Sequence, residues 1–488
     1  MGIKNVNSSN EFIKVKHRGK IYTPDYLVED ILNQGHYIEG NINKKHVIDN
    51  SCGDGQFMIH VVDRYCKDFL KTGKSAKELK KQLEKYIHAI DIENDELETC
   101  ISRCEKVANM YEVFDVKWDF INADTLNTNL YDKKMDFVVG NPPYVRVHNL
   151  DENLSSVKSF LFGNGGMTDL YIAFYEKGIQ MLNKTGILCY ITPSSFFTSL
   201  AGLNMRKYLF NYNWLESICD LKHFQPFKAI TYTTIVCINK NIKNDTVLYY
   251  EFDEKKLIQK YVDTLSSSEY LINDNFYFNK KRNLKLLRKI ICNTKSSDVA
   301  IKNGYATLAD KVFIGDFSFK SKFIIPVLKA SKAQWTKIIF PYDKNSKIVS
   351  ENVLKKDKKI YDYLVSKKEE LVDRSNENDN ELYWYAFGRS QAISDTFKDK
   401  ISINALIRNS NDLKIIDVPS GSGVYSGLYI TSDTIDTQEI KKALESKEFG
   451  EYISLLGKYK SGGYYTFSSK DVKRYLDYKL GKGGFANA

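Results

Sequence analysis

The run richest in chemistry is Asp136-Phe-Val-Val-Gly-Asn141-Pro142-Pro143-Tyr144. An apolar strand leads directly into Asn-Pro-Pro-aromatic. The two prolines remove two backbone donors and fix φ. Each residue that precedes a proline is pushed into an extended conformation. The resulting stiff loop offers two acceptors, the Asn141 side-chain oxygen and the Pro142 carbonyl. An exocyclic amine has two N–H groups to give them. Accepting both localises and aims the nitrogen lone pair, as attack on a methyl group requires. Tyr144 adds a flat face on which a base can stack. A rigid turn that merely closes a strand would use the same residues.

A second run, Val47-Ile-Asp49-Asn-Ser51-Cys-Gly53-Asp54-Gly55-Gln-Phe57, places an acid at a strand end and then a glycine-bearing turn into a helix. The glycines let backbone approach a ligand closely. The pattern is not GxGxxG and has no Lys-Ser/Thr, which argues against a di- or triphosphate. A strand-terminal acid suits a cationic ammonium better. About forty residues on, Ile90-Asp91-Ile92-Glu93 is another strand ending in an acid. In nucleoside-binding α/β folds such an acid accepts from ribose hydroxyls. Ile92 can then pack on an adenine. Phe120-Ile-Asn122-Ala-Asp124 is the third acidic strand end, placed to accept an adenine amino proton. Any one of these acids could simply cap a helix; three in succession before Asn-Pro-Pro-Tyr are harder to read that way.

These residues need a scaffold. Residues 1–240 alternate short apolar runs (HVIDNSC, YIHAIDI, WDFINAD, DFVVGN, GILCYIT) with helix-like stretches (DYLVEDIL, FMIHVVDRY, ELKKQLEKY, DLYIAFYEKGIQML). This βαβ rhythm predicts an α/β fold: a mainly parallel, doubly wound sheet covered by helices on both faces. The last two runs, LESICDL and TYTTIVCINK, are joined by the short KHFQPFKAI, which predicts an antiparallel pair at the sheet edge. Beyond Lys240 the rhythm breaks. We expect a domain boundary near 241–250 and a separate α+β domain over 241–488.

The 488 residues are enough for two or three domains, and 43% hydrophobic with 27% charged residues is a globular balance. Charge is unevenly placed. Residues 1–240 hold 29 Lys or Arg and 29 Asp or Glu, so the whole net charge of +10 falls after them. A basic module beside a neutral one predicts a polyanionic partner. No apolar run is long enough to span a membrane. The N-terminus lacks a signal-peptide core, and Gly2 lacks the downstream Ser/Thr of a myristoylation site. The eight cysteines form no CxxC pair. Cys100 and Cys104 lie one helical turn apart with no second pair to complete a zinc site. Reduced thiols, a cytoplasmic location and no metal are expected.

The order of these motifs resembles the gamma class of amino-methyltransferases, the TaqI type of DNA adenine-N6 methylases. That class begins with a Thr-Pro segment, matched here by Gly19-Lys-Ile-Tyr22-Thr23-Pro24. The resemblance covers residues 19–240. It implies a Rossmann-like sheet, S-adenosylmethionine as cofactor and double-stranded DNA as substrate. Tyr22 and Thr23 would lie by the cofactor, Thr23 near its carboxylate. Asp49 and Ser51 would face the methionine moiety, Asp91 the ribose, Ile92 and Asp124 the adenine, with Gly53 also among the cofactor-binding residues. Asn141, Pro142 and Tyr144 match the catalytic loop, with Pro143 on the cofactor side. Asp169-Leu-Tyr-Ile-Ala-Phe174 and Ile191-Thr-Pro193 match later segments, with Phe174 touching the cofactor. The aromatic that stacks on the far face of a flipped base corresponds to Phe227, with Phe224 as the alternative. In the second half, GYATLADKVFIG, WYAFGRSQ and SGGYYTFSS resemble pieces of target-recognition domains, and Lys311, Arg389 and Arg408 are the candidate readers of bases or phosphates.

The resemblance implies a monomeric modification enzyme, with a separate restriction endonuclease acting on the same site. No PD…(D/E)xK block precedes the Thr-Pro segment, so no cleavage is expected in this chain. Rival readings are an RNA or protein-glutamine methyltransferase, which also use NPPY or NPPF, and a DNA-binding protein with an inactive methylase domain. The absence of a Pro-Cys pair argues against cytosine C5 chemistry.

Overall fold

The computed structural model describes residues 22–146, 154–164, 168–228, 231–242, 245–292, 295–374 and 383–481. Gly19, Lys20 and Ile21 of the first family segment lie outside them. The chain divides into two compact units, Met1–Lys285 and Leu286–Ala488.

The first unit is built on one nine-stranded sheet, in the order β3-β2-β1-β4-β5-β7-β6-β8-β9. Its first seven strands are β1 (Val47–Asp49), β2 (Ile87–Asp91), β3 (Asp119–Asn122), β4 (Met135–Gly140), β5 (Leu182–Pro193), β6 (Leu215–Asp220) and β7 (Thr233–Asn239). Strands β1 to β5 run parallel. β1, β2, β4 and the second half of β5 are largely buried, as strands of a covered parallel sheet are, whereas β3 at the edge is only partly buried. β7 is antiparallel to β5 and to β6, so the expected antiparallel pair is present. It does not end the sheet. β8 (Thr246–Asp253) pairs parallel with β6, and β9 (Ile258–Ser266) pairs antiparallel with β8. The boundary drawn from composition at 241–250 therefore cuts through the sheet, and the units part at 285/286 instead. Alternating patterns such as TVLYYEFD look unlike the buried parallel strands because these two strands bury only part of their surface.

Local rules place the helices that matter for the site. The helix Asp25–Gln34 starts directly after Pro24 and buries Leu27, Val28, Ile31 and Leu32 on one face. The helix Gln56–Leu70 begins at Gly55, whose φ of 89° is left-handed. A side chain there would also strike Cys100, with a Cβ 2.7 Å from its sulfur, so only glycine fits. The helix Ala76–Tyr86 opens with a Ser75/Glu78 capping box.

The second unit is mixed α and β. One sheet joins Ala300–Asn303, Leu428–Thr431, Lys400–Ile403 and Ile415–Val418; another joins Ile314–Gly315, Gln334–Ile339, Ile324–Lys329 and Gly423–Tyr425. Its core mixes aliphatic residues with aromatics, among them Phe313, Trp384, Tyr385 and Phe387, buried together. Two of the segments picked out by resemblance, GYATLADKVFIG and WYAFGRSQ, thus supply core side chains. The unit holds 34 basic and 25 acidic residues, so most of the positive excess stays with it after the boundary is moved.

Candidate active site

The sheet order puts the three acids and the Asn-Pro-Pro-Tyr loop on neighbouring strand ends. β3, β2, β1 and β4 are adjacent and parallel, so their carboxyl ends share one edge, roughly 14 Å across at about 4.8 Å per strand. β1 and β4 are also where the crossovers change direction, the crevice at which open α/β sheets bind ligands.

At the end of β1, Asp49 is buried, and its Oδ1 accepts from the Ser51 N–H at 3.0 Å. Burial pushes its carboxyl up to about 8; the Ser51 N–H opposes this and the Asp91 charge adds to it. The Ser51 Oγ is buried and has no hydrogen-bond partner. Asp91, at the end of β2, accepts from the Gly53 N–H at 2.7 Å and the Glu93 N–H at 2.9 Å, tying the glycine turn to its neighbour strand. The next residue, Ile92, is 61% exposed, an apolar side chain left facing outward beside this acid. Asp124 caps a short 3-10 turn: Oδ1 accepts from the Leu126 N–H at 3.0 Å and Oδ2 from Asn127 Nδ2 at 2.6 Å. The capping reading therefore holds for Asp124, whose carboxylate keeps further lone pairs. Tyr22 is half exposed. Its phenol is raised by burial first, then by Glu96, Asp54 and Asp91, so it stands among the acids of this edge. Phe174 is buried with Leu126, Val157 and Phe160, behind the Asp124 turn.

At the end of β4, Asn141 Nδ2 donates to Thr23 Oγ1 at 3.1 Å. Thr23 is buried just ahead of the helix Asp25–Gln34, so residues 118 positions apart meet. The bond sets the amide: nitrogen toward Thr23, oxygen at the opposite end. Pro142 is buried and Pro143 half-buried. Tyr144 donates from its hydroxyl to the Ile191 carbonyl at 3.0 Å, fastening the loop to β5. Burial pushes this phenol well up, so it stays a neutral donor. Its ring meets Phe227 edge to face at 6.4 Å and Tyr171 at 6.3 Å. Phe224 instead stacks on Phe252 at 5.0 Å. Of the two candidate aromatics, Phe227 is the one beside Tyr144.

Sequence reasoning missed Gly140, the residue before Asn141. A Cβ there would lie 2.6 Å from Asp49 Oδ1, and its φ is 145°. The Asn-Pro-Pro-Tyr loop and the buried acid touch through this one glycine. Its signal was in the sequence, a glycine ending an apolar strand, which often marks close backbone approach. Gly140→Ala is expected to cost about 3 kcal/mol through clash and strain. It should also weaken binding of S-adenosylhomocysteine by displacing Asp49. Thermal melting and calorimetry check both; an unchanged melting temperature would show that the contact yields freely. Tyr171 was also missed, because its place beside Tyr144 depends on how the helix Leu170–Met181 packs.

In the second unit, Arg389 and Lys311 are exposed. Arg408 is held by Asp412, with Nε 3.1 Å from Oδ2, and lies 4.8 Å from the Tyr464 ring centre.

The parallel sheet with its antiparallel β7 and acidic strand ends is the fold of S-adenosylmethionine-dependent methyltransferases. Residues 42–227 match the Eco57I restriction-modification methylase family, which bears out the resemblance drawn from the motifs. The type II methyltransferase M.BstVI of Geobacillus stearothermophilus is 25% identical over 365 residues, 66% of this chain and 65% of that protein. The type II restriction enzyme and methyltransferase RM.Eco57I of Escherichia coli is 26% identical over 339 residues, 58% of this chain and 33% of that protein. The chain thus spans less than two thirds of either relative. Among solved structures, the type IIL restriction-modification enzyme MmeI in complex with DNA superposes with a TM-score of 0.63 at 12% identity, over 95% of this chain and 66% of that one. No helix among the described residues is long and apolar enough to cross a membrane.

S-adenosylmethionine is the cofactor of this class, and the residues fit it. The buried Asp49 carboxyl and the unpartnered Ser51 Oγ suit an amino-acid head group. The Asp91 carboxylate at the strand end suits ribose hydroxyls, and outward Ile92 suits an adenine face.

Proposed function

We propose that this protein methylates the exocyclic N6 of adenine in double-stranded DNA at a specific sequence. The observation that carries the reading is the tethered Asn141 amide. The Nδ2 bond to Thr23 orients the amide, and in this reading Oδ1 and the Pro142 carbonyl are the two acceptors that the loop offers. Two acceptors on a proline-stiffened loop hold both protons of an amine and aim its lone pair. Bound S-adenosylmethionine supplies an electrophilic methyl group, and the loop's part is positioning and electrostatic support. Adenine N6 is out of reach within the stack, so the base must be flipped out. Tyr144 and Phe227 offer it two aromatic faces. They now touch edge to face, so the base enters as the rings part. Asp49, Ser51, Asp91, Ile92 and Asp124 hold the cofactor, with Tyr22, Thr23, Pro143 and Phe174 around it.

Residues 286–488 are the DNA-reading part in this proposal. Their positive excess supports it, because phosphate neutralisation drives much of DNA affinity. The protein acts as a monomer and modifies sites that a separate endonuclease would otherwise cut.

Incubation with methyl-labelled S-adenosylmethionine and duplex DNA tests the reading. Label is expected in N6-methyladenine, at one sequence context by single-molecule sequencing. Label in N4-methylcytosine would overturn the base assignment, and label confined to RNA or protein would overturn the DNA assignment.

A further inference from the structure

Away from the strand ends, three side chains distant in sequence converge. His36 Nε2 lies 2.9 Å from Glu216 Oε1, and Cys237 Sγ lies 3.4 Å from Glu216 Oε2. The three donor atoms all fall within 4.8 Å of one another. Each is delivered by an irregular or buried position. His36 follows the helix Asp25–Gln34 with a left-handed φ of 58°, rare for a residue with a side chain. Glu216 is the extra residue of a β-bulge, since Leu215 pairs with Ile238 and Ser217 with Cys237. Bulges re-aim side chains, here a carboxylate toward an imidazole and a thiol. Cys237 is fully buried in β7.

We propose that His36, Glu216 and Cys237 form a site for one divalent transition-metal ion of the zinc class. One nitrogen, one oxygen and one sulfur donor make a borderline-soft set that suits zinc and not magnesium or calcium. Tetrahedral zinc with ligand bonds of about 2.0–2.3 Å places its ligands roughly 3.3–3.6 Å apart. The observed spacings reach that with shifts of about an ångström. Asn239 Nδ2 donates to Glu216 Oε2 at 3.1 Å, the outer hydrogen bond that orients a ligating carboxylate. His36 is half exposed, so the ion has a way in. A cavity of about 300 Å³ lined by His36, Glu216, Asp30 and Gln34 leaves room for a water at the fourth position. On binding, the Cys237 S–H bond breaks and an S–metal bond forms. The proton leaves to solvent, and the Nε2 lone pair of neutral His36 takes the second position. The ion ties β6 and β7 to the helix that carries Thr23 at its head.

The full chain, stripped of metal, is titrated with Co²⁺. One equivalent is expected, with a thiolate-to-cobalt charge-transfer band and tetrahedral d–d absorption, both removed by Zn²⁺. Zn²⁺ should raise the melting temperature by several degrees. Cys237→Ser should remove the charge-transfer band, His36→Ala should weaken binding at least about tenfold, and Cys292→Ser, at an exposed thiol, should change neither. His36→Ala alters a half-exposed side chain, so it remains informative if Cys237→Ser does not fold. The absence of stoichiometric binding, or a band that survives both substitutions, would show that the three residues are only a hydrogen-bonded trio.

Discussion

Asn141→Ala is expected to reduce methyl transfer by at least 10²–10³-fold, the scale seen when one pre-organised polar contact to a transition state is removed. Cofactor affinity should stay within about tenfold. The amide touches Thr23 through Nδ2 and turns its oxygen the other way, and in the proposed reaction that oxygen works on the target amine. An interaction realised only in the transition state lowers kcat when lost. Single-turnover transfer and equilibrium binding of S-adenosylmethionine separate the two quantities. A collapse of cofactor affinity with kcat preserved would move Asn141 to the cofactor side of the site and would remove the main support for amine chemistry.

Cofactor affinity is expected to fall about tenfold for each pH unit below about 8. Burial pushes the Asp49 carboxyl to about 8, so at neutral pH the ligand-free site keeps the proton. A methionine ammonium beside it favours the carboxylate, and binding must expel that proton at any pH below 8. The cost of one pH unit is one tenfold step. Above about 8 the α-amino group of the cofactor itself loses its charge, so affinity should peak near 8. Calorimetry in buffers of different ionisation enthalpy should also detect the released proton. Asp49→Asn, which carries no titrating proton, should flatten the acid limb and bind weakly throughout. A wild-type affinity constant from pH 6 to 8 would show that Asp49 does not meet the ammonium.

Much of the site could be read from the chain because its residues sit at the ends of strands, and strands announce themselves as apolar runs. VID, IHAID, DFIN and MDFVVG are β1 to β4, and the residues that end or follow them are the acids and the Asn-Pro-Pro-Tyr loop. In a parallel sheet, strand ends that follow helices share one edge, so local pattern carries over into spatial proximity. The fold class followed from the same rhythm. The limit of the sheet did not, since β8 and β9 are mixed in pattern and only partly buried, β8 joining the sheet by pairing with β6 and β9 by pairing with β8.

Charge placement and motif order were thus determined by the sequence itself: a neutral methylase-like half, a basic remainder and a loop suited to an amine. Only the tertiary structure decided which distant side chains meet. Thr23 reaches Asn141, Gly140 passes against Asp49, and Phe227 rather than Phe224 stands by Tyr144. His36, Glu216 and Cys237 converge through a left-handed residue and a bulge, neither of which has a sequence signature of its own. The physical reason is common to all four. Each contact is fixed by how helices and strand irregularities pack across the sheet, and packing depends on shape summed over the whole unit, not on the spacing of residues along the chain.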